Sequence, residues 1–199
     1  IYNGYRNLPY LGAEMFPSDK SYTAIACGGQ SNKDGFFRSV IGYGNKGEAK
    51  ALSIMDDIYT DTENWMINGA RGGSALFLEN DTGNGYWYNP DTQTFGPCME
   101  YWENAVTAFG VSNIIAIDWD HGESDVGENI SDLKAGYLTV FNRMRSIVGD
   151  VPVFITNIGR RADYQDTNYN TMRHAIWDLA SENSWIHLMP EKFAFALAD

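Results

Sequence analysis

The segment YTAIACGGQSN, residues 22–32, decides the fold class of this chain. Its short apolar run, YTAIAC (22–27), is typical of a buried β-strand, and the residues that follow are small or polar. The two glycines permit a tight turn that would leave Ser31 at the tip of the strand. The residues alone leave two interpretations equally open: a nucleophilic serine on a strand-to-helix turn, or a plain turn capped by Ser31 or Asn32.

Further apolar runs of strand length follow, separated by longer segments with helical periodicity. The predicted strands are NWMIN (64–68), SNIIAIDW (112–119), VPVFITNI (151–158) and SWIHLM (184–189). The helical segments are marked by apolar residues three or four positions apart: Met99, Trp102, Val106 and Phe109; Leu133, Tyr137, Phe141, Met144 and Val148; Met172, Ile176 and Leu179. Alternating strands and helices predict an α/β fold with a central parallel sheet and helices on both faces. Ligands bind such sheets beyond the carboxyl ends of the strands.

The composition indicates one globular domain and disfavours several partners. The chain has 199 residues, a hydrophobic content of 44% and a formal net charge of −12. This charge disfavours binding to nucleic acids and to anionic membranes. Cys27 and Cys98 are far apart, which favours two buried free thiols over a disulfide. Aromatic residues make up 14% of the chain, so some rings are expected to line a groove that stacks on sugars or peptides.

The loop INGARGGSALF (67–77) follows the second predicted strand. Its Gly72 and Gly73 could offer main-chain N–H groups to an oxyanion, because glycine lets a ligand approach the backbone closely. Taken singly, a loop or a helix start capped by Ser74 is the simpler interpretation.

The loop IDWDHGESDVGEN (117–129) carries a group of carboxylates around a histidine. The carboxylates are Asp118, Asp120, Glu123 and Asp125. Their spacing fits no EF-hand loop, so a divalent cation is the minor alternative and we expect no metal site. His121 could titrate near neutrality and donate a hydrogen bond at the sheet edge, or it could be solvated or bonded structurally.

Together these segments resemble a known family. GQSN after the first strand, GGS in the second loop and WDHGESD after the third strand are similar to the sequence blocks of sialic-acid-specific acetylesterases. Those proteins are carbohydrate esterases of the SGNH-hydrolase superfamily, and the resemblance runs from about Tyr22 to Asp199. It implies a flavodoxin-like three-layer α/β/α fold, with residues 1–20 as a lead-in and 21–199 as the esterase domain. The implied activity is the removal of O-acetyl groups from carbohydrate without a cofactor.

The resemblance also implies the roles of individual residues. Ser31 matches the nucleophile, and its N–H matches one oxyanion donor. Gly72 or Gly73 matches the second donor, and His121 stands where the family has a glutamine donor. Asp199 matches the aspartate of a closing D-x-x-H block, where it would orient the catalytic histidine. The residues expected to bind substrate or to support the site are Gln30, Asn32, Ser74, Trp119, Gly122 and Glu123.

The histidine that closes the D-x-x-H block is not in this sequence, which ends at Asp199. His174 lies in a helical segment, and His187 lies in a predicted strand where a core position is expected. We favour truncation after Asp199, with the histidine lost or supplied by a second chain. The alternatives are a rearranged site with His121 as the base, and an inactive carbohydrate-binding module of a phage tail or cell surface. Another SGNH activity, such as that of a lipase or thioesterase, is the weakest alternative.

The expected partner follows from the family and not from the composition. We expect an acetylated carbohydrate as the substrate, and an extracellular, periplasmic or virion-associated location.

Overall fold

The computed structural model describes residues 22–29, 54–59, 61–158 and 166–189, and of Glu123, Asp166 and Thr167 the backbone alone. The strands in these ranges are β1 (Tyr22–Gly29), β2 (Glu63–Asn68), β3 (Ala75–Phe77), β4 (Tyr86–Asn89), β5 (Thr94–Phe95), β6 (Ile114–Asp120), β7 (Val153–Thr156) and β8 (Ile186–Met189). The helices are α1 (54–58), α2 (Pro97–Phe109), α3 (Ile130–Val148) and α4 (Asp166–Glu182). The predicted lead-in, residues 1–20, lies outside the described residues.

The main sheet of the described chain has five parallel strands in the order β2-β1-β6-β7-β8. The chain passes from β1 to β2 on one side and later places β6 on the other side of β1. The order therefore reverses between β1 and β6, and a ligand crevice is expected outside the carboxyl ends of these two strands. All five predicted strands are present, and the predicted flavodoxin-like α/β/α class is confirmed.

The two faces of the main sheet pack against different helices. Ala24 and Ala26 of β1 belong to a large core with α2, α3 and α4. Cys27 points to the other face, where it packs with Met66 and with Met55 of α1. Because Cys98 belongs to the large core, the two buried free thiols lie on opposite faces of the sheet. Burial raises the pKa of the Cys98 thiol to about 11.

The predicted helices all form, and their ends follow from local residues. Helix α2 begins with a proline in its first turn and ends at Gly110, whose φ is +115°. Helix α3 is capped by the side chain of Asn129, which accepts the N–H of Asp132. None of the helices in the described ranges has the length and apolar character needed to cross a membrane.

A second, smaller sheet was not predicted. Strand β3 pairs with β4 in parallel, and β4 pairs with β5 in antiparallel orientation. These strands have two to four residues, which is too short for a periodic pattern to identify them. The small sheet packs closely on α3, since a Cβ at Gly136 would lie 2.5 Å from the Phe77 ring.

Trp119 joins the two sheets in the centre of the large core. Its ring is fully buried and lies 4.7 Å from the ring of Trp87 on β4. On α3, the ring of Phe141 is 5.3 Å away and that of Tyr137 is 6.3 Å away. Such edge-to-face pairs each contribute about 0.5–1.5 kcal/mol beyond the burial of their area. This contact cluster holds the carboxyl end of β6 in place.

The expectation of a buried His187 was wrong. Strand β8 is the last strand of the sheet, and only Ile186 among its residues is buried. His187 is exposed, although its ring lies 5.2 Å from that of Phe154 on β7. An apolar run does not reveal whether a strand will lie at the centre or at the edge of a sheet.

Both glycines at the end of β1 are required by close packing against β6. A Cβ at Gly28 would lie 2.8 Å from the ring of Trp119. A Cβ at Gly29 would lie only 2.0 Å from the main-chain oxygen of Asp120, and the φ of Gly29 is +114°. No side chain fits at Gly29, whatever rotamer it adopts, because the obstacle is backbone.

We expect Gly29→Ala to lower the free energy of unfolding by about 3 kcal/mol or more, since steric overlap adds to backbone strain. The matched control is Gly83→Ala, where φ is +99° and no atom lies within 4 Å of the added methyl. That control should cost about 1 kcal/mol, because it adds only the strain of a positive φ. Urea denaturation of both variants measures the difference, and equal losses would contradict this account.

Candidate functional site

The site lies at the carboxyl ends of β1 and β6, where Gly29 and Asp120 are paired in register. Asp120 is almost fully buried there. The predicted nucleophile Ser31 follows β1 closely in sequence, but it lies outside the described residues, as do Gln30, Asn32 and Asp199. The described part of the site is therefore formed by the loops that follow β2, β6 and β7.

The loop after β2 is held to the end of β1 by main-chain hydrogen bonds. The N–H of Gly69 donates to the carbonyl of Cys27 at 2.9 Å, and that of Arg71 donates to the carbonyl of Gly29 at 3.0 Å. The Ser74 hydroxyl donates to the same Gly29 carbonyl at 3.2 Å. These bonds continue the pairing of β1 and β2 beyond the strand ends.

Within this loop, Gly72 and Gly73 differ from Ser74 in exposure. Both glycines are partly exposed, and Gly73 has a φ of +74° with the Asn84 side chain against it. Ser74 is fully buried, and its hydroxyl also accepts the indole N–H of Trp87 at 3.2 Å. Ser74 therefore holds the loop from its interior side. The N–H groups predicted to bind an oxyanion belong to partly exposed residues.

His121 is buried directly beneath the same loop. Its Nε2 donates to the carbonyl of Ser74 at 3.1 Å, and its ring lies 5.6 Å from that of Trp119. Nδ1 lies 3.7 Å from an Asp125 carboxylate oxygen, which is beyond hydrogen-bond distance. Burial lowers the pKa of His121, although the Asp125 carboxylate and the Ser74 carbonyl both act to raise it. The ring is therefore held neutral, with its proton on Nε2.

Asp125 has a structural role that was not predicted. Its carboxylate accepts the N–H groups of Leu76 at 2.8 Å and Phe77 at 3.3 Å, and the side-chain amide of Asn80 at 3.0 Å. It thereby fixes the short helical turn Glu123–Asp125 to the start of the small sheet. The sequence signal for this role is its position four residues after His121, which places both side chains on one side of the turn.

Ser74, His121 and Asp125 follow one another in contact but do not form a catalytic triad. The imidazole contacts the main-chain oxygen of Ser74 and not its hydroxyl. All three side chains are at most 1% exposed, so no ester could reach them in this arrangement. Their arrangement fixes loop positions. In the described ranges no three His, Cys, Asp or Glu side chains are grouped so that they could hold a metal ion.

The remaining predicted residues near His121 are close-packed. Trp119 is fully buried in the core, so it can influence a ligand only through the residues that lie between it and solvent. Gly122 has a φ of +152°, and a Cβ there would lie 2.8 Å from Ile158, in the loop after β7. The backbone of Glu123 begins the turn that carries Asp125, while its side chain is outside the described part of the site.

Asn157 is a residue of this site that was not predicted. It follows β7 directly and is 9% exposed. Within the described ranges, its side-chain oxygen Oδ1 has no hydrogen-bond partner. An amide buried in this way costs about 1–3 kcal/mol relative to a bonded one. The sequence signal is a polar residue near the end of the apolar run VPVFITNI. The whole run was predicted to be one strand, so this residue was not singled out.

Comparison with known proteins leaves the family of this chain open. No protein-family description and no curated protein matches the sequence. Among solved structures, the crystal structure of a protein from Arabidopsis thaliana matches with 17% sequence identity and a TM-score of 0.49. The match covers 76% of this chain and 58% of the Arabidopsis protein, so this chain spans less than two thirds of that protein's length. The resemblance to sialic-acid-specific acetylesterases stays a prediction.

The burial of neutral His121 predicts a dependence of stability on pH. Its pKa is lower in the folded chain than in the unfolded chain, so below about pH 6.5 the unfolded chain binds more protons. The free energy of unfolding of wild type minus that of His121→Gln should therefore have its full value above about pH 6.5. It should fall on acidification, with a limiting slope of about 1.4 kcal/mol per pH unit.

Urea denaturation of wild type and His121→Gln between pH 8 and pH 5 measures this difference. The same replacement at His174, which is exposed on α4, provides the control. A stability difference for His121→Gln that stays constant, or grows as the pH falls, would contradict a neutral buried ring.

Proposed function

We propose that this chain is a carbohydrate O-acetylesterase that forms an acetyl-enzyme on Ser31. The observation that supports the proposal is that the loops after β2 and β6 are hydrogen-bonded to each other near the end of β1. The loops after β2 and β6 both carry residues predicted for the site, and they are bonded to each other through Ser74 and His121. The first of them is also bonded to Gly29, the last residue of the strand that precedes Ser31.

In this mechanism the Ser31 oxygen attacks the acetyl carbonyl carbon and gives its proton to a histidine base. The tetrahedral oxyanion is bound by the N–H of Ser31 and by that of Gly72 or Gly73. Collapse expels the sugar oxygen, which takes the proton from the base, and leaves acetyl-serine. Water then releases acetate by the same route. Each oxyanion donor supplies about 2.7–4 kcal/mol of transition-state stabilisation. No metal ion takes part in these steps.

His121 supports the proposed reaction by positioning a loop. Its Nε2 is occupied by the carbonyl of Ser74, which follows Gly73 directly. A role as a side-chain donor to the oxyanion would require Nε2 to leave this carbonyl. We therefore propose that His121 fixes the orientation of the main chain at Gly72 and Gly73, so that an N–H points at the oxyanion.

This role predicts that His121→Gln retains much of the esterase activity while His121→Ala loses most of it. A glutamine amide can still donate a hydrogen bond to the Ser74 carbonyl, whereas alanine cannot. Steady-state hydrolysis of p-nitrophenyl acetate by both variants, compared at equal folded fraction, checks the order. Equal and negligible effects of the two changes would remove His121 from the site.

A carbohydrate-binding module without turnover is the second candidate. All three histidines of the chain are in the described ranges, and none of them is placed as a free base beside β1. His121 is buried on Ser74, His174 is exposed on α4, and His187 is on the edge strand β8. The esterase proposal therefore needs the histidine of the D-x-x-H block that Asp199 begins, whereas a binding module needs none.

Ser31→Ala separates the two candidates in the full-length protein. We expect hydrolysis of p-nitrophenyl acetate and of acetylated xylan to fall by about 10³-fold or more, because the nucleophile is lost. A fluorophosphonate should label wild type on Ser31 and leave the variant unlabelled. The control is Ser146→Ala, which removes an exposed hydroxyl on α3 and should change neither result.

Wild-type turnover in Ser31→Ala would exclude the proposed mechanism. If wild type releases no acetate from either ester but binds the acetylated glycan, the binding module is the correct candidate.

A further inference from the structure

Asn157 directly follows β7, the strand next to β6. Ile155 pairs with Trp119 across β7 and β6. Asn157 is two residues beyond Ile155, as His121 is two residues beyond Trp119, so the two polar residues extend the same row of the sheet. The carboxyl ends of these strands are where parallel sheets bind their ligands.

The residue that follows Asn157 is held in place by two contacts. The next residue, Ile158, is buried against Gly122 of the loop after β6. The carbonyl of Ile158 accepts the Nε–H of Arg173 on α4 at 3.0 Å. A side chain on such a segment is preorganised, which lowers the entropic cost of binding a ligand.

The side-chain oxygen of Asn157 lacks a hydrogen-bond partner in the described chain. The residue is nine-tenths buried, and its oxygen makes no hydrogen bond within the described ranges. The two ends of an amide can be exchanged, so the unpaired end is either an acceptor or a donor. A hydroxyl satisfies both possibilities, because it donates and accepts.

The charged groups described near the amide have both signs. Asp120, at the end of β6, is buried close to the same strand ends, and the guanidinium of Arg173 donates to the carbonyl of the neighbouring Ile158. These charges therefore select neither an anion nor a cation. A molecule rich in hydroxyl groups fits the unpaired end of the amide, because a hydroxyl donates and accepts.

We infer that Asn157 is a sugar-positioning residue that hydrogen-bonds a free hydroxyl of the bound carbohydrate. The inference deepens the proposed function, since the hydroxyl belongs to the sugar whose acetyl ester is cleaved. The contact would also serve a binding module, so its test does not depend on hydrolysis. It accounts for a buried amide oxygen that makes no hydrogen bond within the described ranges.

The first test is saturation-transfer NMR of the full-length protein with the methyl glycosides of glucose, galactose, xylose and N-acetylneuraminic acid. Wild type should give signals with at least one of them. Asn157→Leu should weaken those signals about 3- to 10-fold, the range expected for one lost hydrogen bond between neutral groups. Ser31→Ala should retain the signals, so a failure of the esterase proposal and a failure of this one give different results.

The second test is thermal unfolding without sugar. Because leucine replaces an amide whose oxygen has no partner in the described part of the chain, Asn157→Leu should leave the Tm unchanged or raise it by about 2–4 °C. The matched control is Asn64→Leu, near the start of β2, where the buried amide bonds Asp56 at 2.9 Å and Thr23 at 2.8 Å. That control should lower the Tm and leave the sugar signals as they are in wild type.

If the protein hydrolyses esters, a comparison of two substrates provides a third test. The ratio of kcat/KM for acetylated xylo-oligosaccharides to that for p-nitrophenyl acetate should fall in Asn157→Leu, since only the first ester carries free hydroxyls. Asn157→Ser, which leaves space and a small polar group, should weaken the sugar signals without loss of Tm.

Three results would overturn the inference. They are the absence of signals from all four glycosides in wild type, wild-type signals in Asn157→Leu, and a loss of Tm in Asn157→Leu as large as that in Asn64→Leu.

Discussion

The close approach of two backbones, at Gly29 of β1 and Asp120 of β6, is the constraint on which the rest of the described site depends. A single Cβ at Gly29 would overlap the Asp120 carbonyl at 2.0 Å. With no side chain there, the two strand ends meet and the carbonyl of Gly29 becomes available to the loop after β2. That carbonyl accepts both the N–H of Arg71 and the hydroxyl of Ser74. A glycine at this position therefore decides where the neighbouring loop can lie.

From this point a series of buried polar contacts extends to the small sheet. The Ser74 carbonyl holds the ring of His121, and the ring lies beside Asp125. The Asp125 carboxylate accepts the N–H groups that begin β3. Each buried polar group in such a series is costly if it is left unbonded, and hydrogen bonds are stronger away from water. These bonds tie the loops after β2 and β6 to each other, which suits the preorganised oxyanion site that we propose there.

This arrangement separates two kinds of residue at the carboxyl ends of the strands. Ser74, His121 and Asp125 contact one another inside the protein and hold the loops, although Nδ1 of His121 makes no hydrogen bond within the described ranges. The side-chain oxygen of Asn157 has no hydrogen-bond partner within the described ranges, which is why we propose it for ligand binding. All four side chains are polar and buried, so residue type and burial do not separate the two kinds. The first three contact one another across the loops after β2 and β6, whereas Asn157 follows β7. The first three residues support the loops, and the fourth is the residue that we propose for recognition.

The sequence by itself determined the strands of the main sheet, helices α2 to α4 and the α/β class. It could do so because the spacing of apolar residues is a local property, and because strands that alternate with helices pair in parallel. It also indicated which loops matter, since GQSN, GGS and WDHGESD each follow a strand. Ser31 and Asp199 lie outside the described residues, and their roles stay predictions.

Only the tertiary structure decided the burial and the partners of the individual site residues. His121 is buried and bonded to Ser74, and His187 is exposed because β8 is the last strand of the sheet. The small sheet formed from strands too short to show a period, and Asn157 was left unpaired beside the crevice. These properties depend on contacts between segments about 45 residues apart or more, such as Ser74 with His121 and Leu76 with Asp125. No local pattern contains that information, because burial is set by what packs on a residue and not by the residue itself.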